Sequence, residues 1–256
     1  ALLSAIYYPA NATPYNPDGS FAGLPGGKNA GDYGDIINPV AELLRADINK
    51  PENILIVNPY ALFNLAKGLT FRSNLSVTKG FYHSKIFTPK RPEVGKPMLN
   101  NSLEEKDRTL TDILAEQVLA YKKDMANHHL DFTGGFSFQK TKYKSFSVTG
   151  MNFDDEAPSK RYLVNASVFE PAVSDLVSTA LSSVFLRANY NYAEKYLLSL
   201  IGRRDGSSLV PKAENRFRNY YSVSAGWVLS KENFLKESTW LNELKLRGSY
   251  GLLGNL

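Results

Sequence analysis

Few residues in this 256-residue chain could do chemistry, and their spacing argues against a catalytic centre. His128 and His129 are adjacent, so strand geometry would point them to opposite faces and hinder joint chelation of one metal. The carboxylates at 154–156 could hold calcium together with loop carbonyls, but a solvated loop is the simpler explanation. No Ser–His–Asp arrangement can be assembled, and no pair of carboxylates stands out. We therefore predict no enzyme, no catalytic residue, no cofactor and no metal site.

One segment, RRDGSS at 203–208, has the glycine and serines of a phosphate loop. It lacks the lysine and the following helix that a P-loop needs, so a strand end plus a turn explains it without a ligand. Basic side chains are better candidates for lining a wet interior, because each lies on the polar face of an alternating segment; hydration there is a simpler role for them than contact with a polar ligand. The predicted lumen-lining residues are Arg72, Arg187, Arg203, Lys245 and Arg247.

Composition excludes several classes of protein. Cysteine is absent, which removes disulfide scaffolds and thiolate zinc sites. The 30 basic and 25 acidic residues give a net charge of +5, too small an excess to indicate nucleic acid. No apolar run reaches the roughly 18 residues of a transmembrane helix. This does not exclude a membrane β-barrel, because apolar and polar residues alternate along its strands and the mean hydropathy of each strand is therefore ordinary.

The clearest pattern is an alternation of apolar and polar residues with a period of two, which is typical of half-exposed strands. In one segment, for example, Leu198 and Leu200 lie opposite Ser199. Because several segments alternate in succession, they predict an antiparallel β-meander. The alternating segments are 183–192, 195–208, 221–229 and 244–252, preceded by 69–77, 130–139 and a weaker strand at 53–65.

The stretch at 109–125 does not follow this pattern. Its apolar residues recur at i, i+3 and i+4, which locally favours a helix. A meander nevertheless needs a strand here, because two strands that run in the same direction cannot be neighbours without one between them. We therefore predict a strand in the second half of this stretch.

Connections between the predicted strands alternate between short and long, which is typical of transmembrane barrels with short turns at one rim and long loops at the other. A tyrosine cluster at 190–196 flanks one short turn, as an interfacial aromatic girdle would. A soluble β-sandwich remains the alternative from the pattern alone. The short connections are 66–68, 123–128 and 193–194; the long ones are 83–108, 147–178 and 206–216; and 230–243 is expected at the short-turn rim as a helical turn.

Several motifs, in order, resemble the barrel of SusC-like (SusC/RagA-type) TonB-linked outer-membrane proteins. They include the NYNYAEKYLL run, RRDGSS, YYSVSAGW and LKLRGSYGLLGN, and upstream PYNPDGSF, NPVAELL and AKGLTFRSNLS. Where the family usually has proline before the SVSAGW segment, this chain has Tyr221, a local departure. The resemblance covers nearly the whole chain, and it supports a strand around 117–121.

This resemblance implies an all-β fold, namely about eight strands of a roughly 22-stranded antiparallel transmembrane barrel. Residues 1–52 would be mostly a long extracellular loop and 53–256 a β-meander, with the plug and the N-terminal extension absent. The chain opens without a basic n-region and stops inside a predicted strand, so we expect a segment of a longer polypeptide.

The implied function is TonB-dependent import of oligomeric nutrients across the bacterial outer membrane. The implied partners are a SusD-like surface lipoprotein, the TonB–ExbB–ExbD complex through missing N-terminal parts, oligosaccharide or peptide cargo, and outer-membrane lipid, but no nucleic acid. Two alternatives stay open: a siderophore-type TonB-dependent receptor and a secreted carbohydrate-binding β-sandwich.

Overall fold

The computed structural model describes residues 2–10, 12–24, 36–45, 47–93, 97–235, 238, 240–252 and 254. Parts of the predicted loops 1–52, 83–108 and 230–243 therefore lie outside the described residues. Within the described ranges, no helix has the length and apolar character needed to cross a membrane. The helices are α1 (Leu2–Tyr7) and α2 (Pro39–Arg45), and short 3-10 turns occur at Pro158–Lys160, Leu163–Asn165, Ala213–Asn215 and Leu229–Lys231.

Strands dominate the described residues and form one sheet of eleven strands. Its main path runs β1-β4-β5-β6-β8-β9-β10-β11, while β2 and β3 pair with β4, and β7 pairs with β6. The predicted antiparallel meander is confirmed. The strands are β1 (Asp47–Asn49), β2 (Glu52–Val57), β3 (Tyr60–Ala66), β4 (Leu69–Thr88), β5 (Ser102–Met125), β6 (His128–Phe153), β7 (Ala166–Phe169), β8 (Val173–Tyr192), β9 (Tyr196–Ser207), β10 (Phe217–Val228) and β11 (Lys245–Leu252).

The predicted strand near 117–121 is confirmed, and the locally favoured helix at 109–125 is wrong. β5 is 24 residues long and spans the whole stretch. Ladder hydrogen bonds to the flanking strands outweigh a helical spacing of apolar residues, since intrinsic propensity is a weak prior against tertiary pairing.

Two predicted loops are shorter than expected. β4 continues to Thr88 and β5 starts at Ser102, so much of 83–108 is strand; similarly, β6 extends to Phe153 and β8 starts at Val173 within 147–178. The charged residues in these two segments led to the prediction of loops. In the structure they pair across neighbouring strands, as in His83–Asp107 (2.8 Å) and Lys85–Glu105 (3.5 Å).

Residues 1–52, predicted as mostly a long loop, contain α1, α2 and β1 among their described positions. Asn38 caps α2, because its Oδ1 accepts hydrogen bonds from the backbone amides of Val40 and Ala41. Its Nδ2 donates to the carbonyls of Pro14 and Ala22, which ties the loop to the helix. The extracellular placement of this region stays a prediction.

The chain divides into two compact units: a first unit of residues 1–53, 81–109 and 144–176, and a second unit of 54–80, 110–143 and 177–256. Within the first unit, Phe87, Leu103 and Phe153 are 1%, 0% and 1% exposed and pack together, with partly buried Leu163 and Ala166 against them. The first unit thus has a conventional buried core.

The second unit consists mainly of sheet, and its short turns join β3 to β4, β5 to β6 and β8 to β9. All three turns contain residues with positive φ: Gly68 (78°), Ala126 (49°), and the pair Ala193 (51°) and Glu194 (56°). The last pair gives the mirror-image turn that matches the twist of a β-hairpin. The short connections that the sequence predicted are confirmed.

Candidate functional site

The register of β8, β9, β10 and β11 places polar side chains in rows across one face of the second unit. Asn189 lies opposite Ser199, Ser199 opposite Ser224, and Ser224 opposite Ser249. Residues that are direct partners in an antiparallel pair share a face, so these four side chains form one continuous row. We call this surface the polar face.

The opposite surface, which we call the apolar face, is built from the alternate residues of the same strands. Tyr190 lies opposite Leu198, Leu198 opposite Ala225, and Ala225 opposite Gly248. Leu198 is 39% exposed although it lies in the middle of the sheet. The faces that the sequence alternation predicted are therefore the faces of the structure.

Arg187 and Arg203 lie on the polar face and are held by hydrogen bonds. Arg187 Nε donates to Asn189 Oδ1 at 3.1 Å, and Ser199 Oγ donates to the same oxygen at 2.7 Å. Arg203 Nε donates to both carboxylate oxygens of Asp205 at 2.6 and 2.7 Å. These contacts fix the two guanidinium groups against the sheet.

Lys245 and Arg247 lie on the same face of β11, opposite Val228 and Gly226 of β10. Both side chains are exposed. A Cβ at Gly226 would lie 3.4 Å from Leu197 and from Lys245 Cε, so the glycine lets both side chains lie close to the sheet. The structure thus brings four of the five predicted basic residues to one face of neighbouring strands; their place in a lumen stays a prediction.

Arg72, the fifth predicted residue, lies in the β3–β4 hairpin. It faces Leu62 of β3 and its guanidinium lies 5.2 Å from the ring centroid of Tyr60. Asn74, two residues further and therefore on the same face, donates through Nδ2 to Glu116 Oε2 at 3.4 Å. Arg72 is thus on a polar surface too, on a different hairpin from the other four.

Two further polar contacts of this unit were missed by the sequence analysis. Asp112 of β5 accepts hydrogen bonds from Gln139 Nε2 at 3.0 Å and from Thr141 Oγ1 on β6. Lys122 of β5 pairs with Asp131 of β6 at 3.6 Å. Finding them requires the β5–β6 register, which no local sequence pattern contains.

An aromatic ladder runs along the apolar face beside the short turns. Ring centroids are 4.8 Å apart for His128 and Tyr192, 6.2 Å for Tyr192 and Tyr196, and 6.4 Å for Tyr196 and Trp227. The predicted tyrosine cluster is part of this ladder. His128 and Trp227 were not predicted, because they come from neighbouring strands.

Glu232, in the 230–243 connection, binds the end of the aromatic ladder formed by Tyr196 and Trp227. Its carboxylate accepts hydrogen bonds from Tyr196 Oη (2.7 Å), Trp227 Nε1 (3.0 Å) and Lys195 Nζ (3.0 Å). These donors, the Tyr196 hydroxyl first, lower the pKa of Glu232 to about 2. Beside it, a hydrogen bond and ion pair with Lys231 lowers the pKa of Glu194. The connection therefore joins the short-turn rim as predicted, through a 3-10 turn at Leu229–Lys231.

The other candidates from the sequence have structural partners. His129 Nδ1 lies 2.6 Å from Asp124, while His128 contacts Tyr190 and Tyr192, so the two histidines do not converge. Glu156 accepts hydrogen bonds from the backbone amide of Lys90 and from Asn101 Nδ2, both at 2.8 Å. Across the residues that the structure describes, no cluster of three potential metal ligands occurs.

No protein-family model matches the chain. It is 32% identical over 254 residues to TonB-dependent receptor P3 of Formosa agariphila, which covers 99% of this chain and 25% of that protein. It is 42% identical over 74 residues to TonB-dependent receptor SusC of Bacteroides thetaiotaomicron, covering 29% of this chain and 7% of SusC. The chain thus spans about a quarter of the length of P3.

Among solved structures, the chain resembles the RagAB peptide transporter with a TM-score of 0.77 over 93% of its length, at 19% identity and covering 26% of the matched chain. This likeness establishes the fold, while the receptor P3 supplies sequence similarity from end to end. The soluble sandwich is therefore wrong as a fold. The chain is thus similar in sequence to TonB-dependent receptors, SusC among them, and its sheet has the fold of a section of a TonB-dependent receptor β-barrel.

Proposed function

We propose that this chain is part of the wall of a TonB-dependent importer in the bacterial outer membrane. The observation that carries the proposal is the two-faced sheet of the second unit, with exposed apolar side chains on one face and hydrogen-bonded polar rows on the other. In a bilayer the apolar face contacts lipid and the polar face lines the wet interior, as in other membrane barrels.

The proposed cargo is an oligomeric nutrient, either an oligosaccharide or a peptide. Similarity to SusC and the fold likeness to a peptide transporter support this class of cargo. A SusD-like surface lipoprotein is the proposed partner on the cell surface. Energy would come from the TonB–ExbB–ExbD complex, through parts of the protein outside this chain.

The five basic residues have a proposed role in this interior. Arg187, Arg203, Lys245 and Arg247 present fixed or exposed cations on the polar face, and Arg72 does so on the β3–β4 hairpin. Guanidinium groups donate several hydrogen bonds in a planar array, which suits carboxylates and sugar hydroxyls. We propose that they contact cargo or the plug.

The test is uptake in the bacterium that carries the gene. A strain without the gene should lose import of labelled oligosaccharides or oligopeptides and keep import of monosaccharides and amino acids. The full-length protein should fractionate with the outer membrane and copurify with the SusD-like lipoprotein. Recovery of the protein in the soluble periplasm would contradict the proposal, and a defect confined to iron-limited medium would favour the siderophore alternative.

A further inference from the structure

We propose that basic side chains at the long-loop end of the apolar face bind phosphate-bearing lipid headgroups. The residues are Lys140, Lys142 and Arg204, which we call the basic row. The inference rests on the proposed function, because it requires the apolar face to lie in a bilayer. It adds a ligand site on the outside of the sheet, away from the polar face.

The face of Lys140 and Lys142 follows from their neighbours on β6. Gln139 and Thr141 hydrogen-bond to Asp112, so the alternate residues 140 and 142 project from the opposite side of the strand. That side also carries Phe136 and Phe138, which are 44% and 38% exposed. The two lysines therefore extend an apolar row.

A glycine links this side of β6 to the apolar face of β8. A Cβ at Gly134, which has the same parity as Lys140, would lie 3.5 Å from Leu186 Cδ1. Leu186 pairs with Gly202 of β9. Gly202 is four residues after Leu198 on the same strand, so it lies on the apolar face as well. The lysines and the apolar face are thus on the same side of the sheet.

Arg204 reaches this side from β9. It lies opposite Val184 of β8, two residues beyond the Leu186–Gly202 pair on the same face. Its guanidinium is 5.3 Å from the ring centroid of Phe217 and the residue is exposed. An arginine whose guanidinium lies over an aromatic ring keeps its N–H donors free for the oxygens of a phosphate group.

The height of the basic row fits a membrane interface. From the aromatic ladder at Tyr196 to Arg204 the strand rises about 27 Å, and from His128 to Lys140 about 40 Å. With a strand tilt of about 40°, these lengths become about 20 and 30 Å along the barrel axis, which bracket the apolar band of about 25 Å in such barrels. The backbone of Arg204 therefore lies about 5 Å inside this band and that of Lys140 about 5 Å beyond it, and long basic side chains can reach the interface from either position.

The charge of the row is uncompensated. In the part of the chain that the structure describes, neither Lys140 nor Lys142 lies in an ion pair, and both are exposed. Within strand β6 they are two residues apart, so their ammonium groups repel each other. A phosphate between them removes this repulsion and accepts hydrogen bonds from both.

The test uses the full-length protein in phosphatidylcholine vesicles, with and without phosphatidic acid, and measures the phosphatidic acid that copurifies. The double variant Lys140→Gln/Lys142→Gln is compared with Lys67→Gln/Lys123→Gln, which removes two exposed lysines beside the short turns. We expect wild type and control to retain phosphatidic acid. The variant should retain it about fivefold less for each charge removed; Arg204→Gln should have a comparable effect.

Equal retention by the two double variants would overturn the inference. So would inorganic phosphate alone, if it raised the melting temperature in phosphatidylcholine vesicles as much as phosphatidic acid does, because the ligand would then be the free anion. Failure of the wild type to fold into either vesicle would instead contradict the proposed function. If the wild type folds normally but retains no phosphatidic acid, this inference fails while the proposed function stands.

Discussion

The two units use similar strands and similar apolar residues but place them in opposite environments. In the first unit, the side chains of Phe87, Leu103 and Phe153 converge on a core from which solvent is excluded. In the second unit, Leu198 and Tyr250 remain 39% and 70% exposed on a sheet face. An apolar alternation therefore identifies a strand face that avoids water, without telling whether protein or lipid covers it.

The polar groups differ in the same way. Asn101 in the first unit is completely buried and exchanges hydrogen bonds with both backbone groups of Phe153, at 2.6 and 2.8 Å. Ser199 in the second unit is partly buried and shares Asn189 Oδ1 with Arg187. A polar group in a dry core needs complete partners, whereas one on a wet face can exchange them for water.

The largest loss of stability is expected for a substitution in the core of the first unit. Phe153→Ala should destabilise that unit locally by about 3–5 kcal/mol, since it removes a fully buried ring that packs edge-on against Phe87. Trypsin should then cleave the purified full-length protein after Lys160 and Arg161. Phe138→Ala, on the apolar face, is the control and should leave this cleavage unchanged. Resistance of both variants would mean that the core does not hold the 154–165 segment.

The second prediction tests the faces of the sheet. Leu198→Arg places a charge on the apolar face and should cost about 2–4 kcal/mol near the bilayer midplane, with less cost towards either interface. Ser199→Arg places the same charge on the polar face, where water and neighbouring polar groups solvate it, and should cost much less. Folding of both full-length variants into lipid vesicles, followed by gel shift, measures the difference. Greater damage from Ser199→Arg would show that the faces are reversed.

A smaller effect is expected for the buried amide. Asn101→Ala leaves the amide and carbonyl of Phe153 without their partner and should destabilise the first unit by about 1–3 kcal/mol. Asn165→Ala removes one hydrogen bond from an exposed side chain to the Lys160 carbonyl and is the matched control. Hydrogen exchange at the amides of β6 should separate the two variants. Identical exchange would argue that water replaces Asn101 without cost.

The smallest effect concerns the pH dependence at Glu232. Its pKa of about 2 in the folded protein lies below the value of about 4.3 for an unperturbed glutamate, so ionisation stabilises the folded state. This contribution is complete above pH about 4.3 and disappears as the pH falls through about 2. Glu232→Gln should flatten the acid unfolding curve in that interval, and Trp227→Phe, which removes one donor, should flatten it less. Unchanged curves would contradict a role for this carboxylate.

The sequence predicted the second unit better than the first. Strand alternation repeats regularly when one face is apolar and the other polar, so Leu198 and Ser199 could be assigned to opposite faces without any register. The positions of the short turns could also be predicted, since an alternating strand pattern ends before each turn and another begins after it. The basic residues were assigned to the polar face for the same reason, while their place in a lumen stays a prediction.

The sequence did not predict the contacts of the first unit because they join residues that are far apart in the chain. Asn101 bonds to Phe153 across 52 positions, and Arg161 pairs with Asp47 across 114. Neither partner carries a local signal, and their polar neighbours made the surroundings resemble loops. The helical spacing at 109–125 misled for a related reason, because apolar residues on both faces of a strand can recur at i, i+3 and i+4.

The neighbour order of the sheet also bears on how quickly the chain can fold. From β4 to β6 and again from β8 to β11, each strand pairs with the next one along the chain, while β2 and β3 pair with β4, and β7 pairs with β6, beside this path. Contacts between sequence neighbours close small loops and so lose little chain entropy. A growing sheet of this kind can add one hairpin at a time, each new strand using the previous one as its template. We expect its assembly rate to depend on the tight turns, such as Ala193–Glu194, more than on any distant pairing.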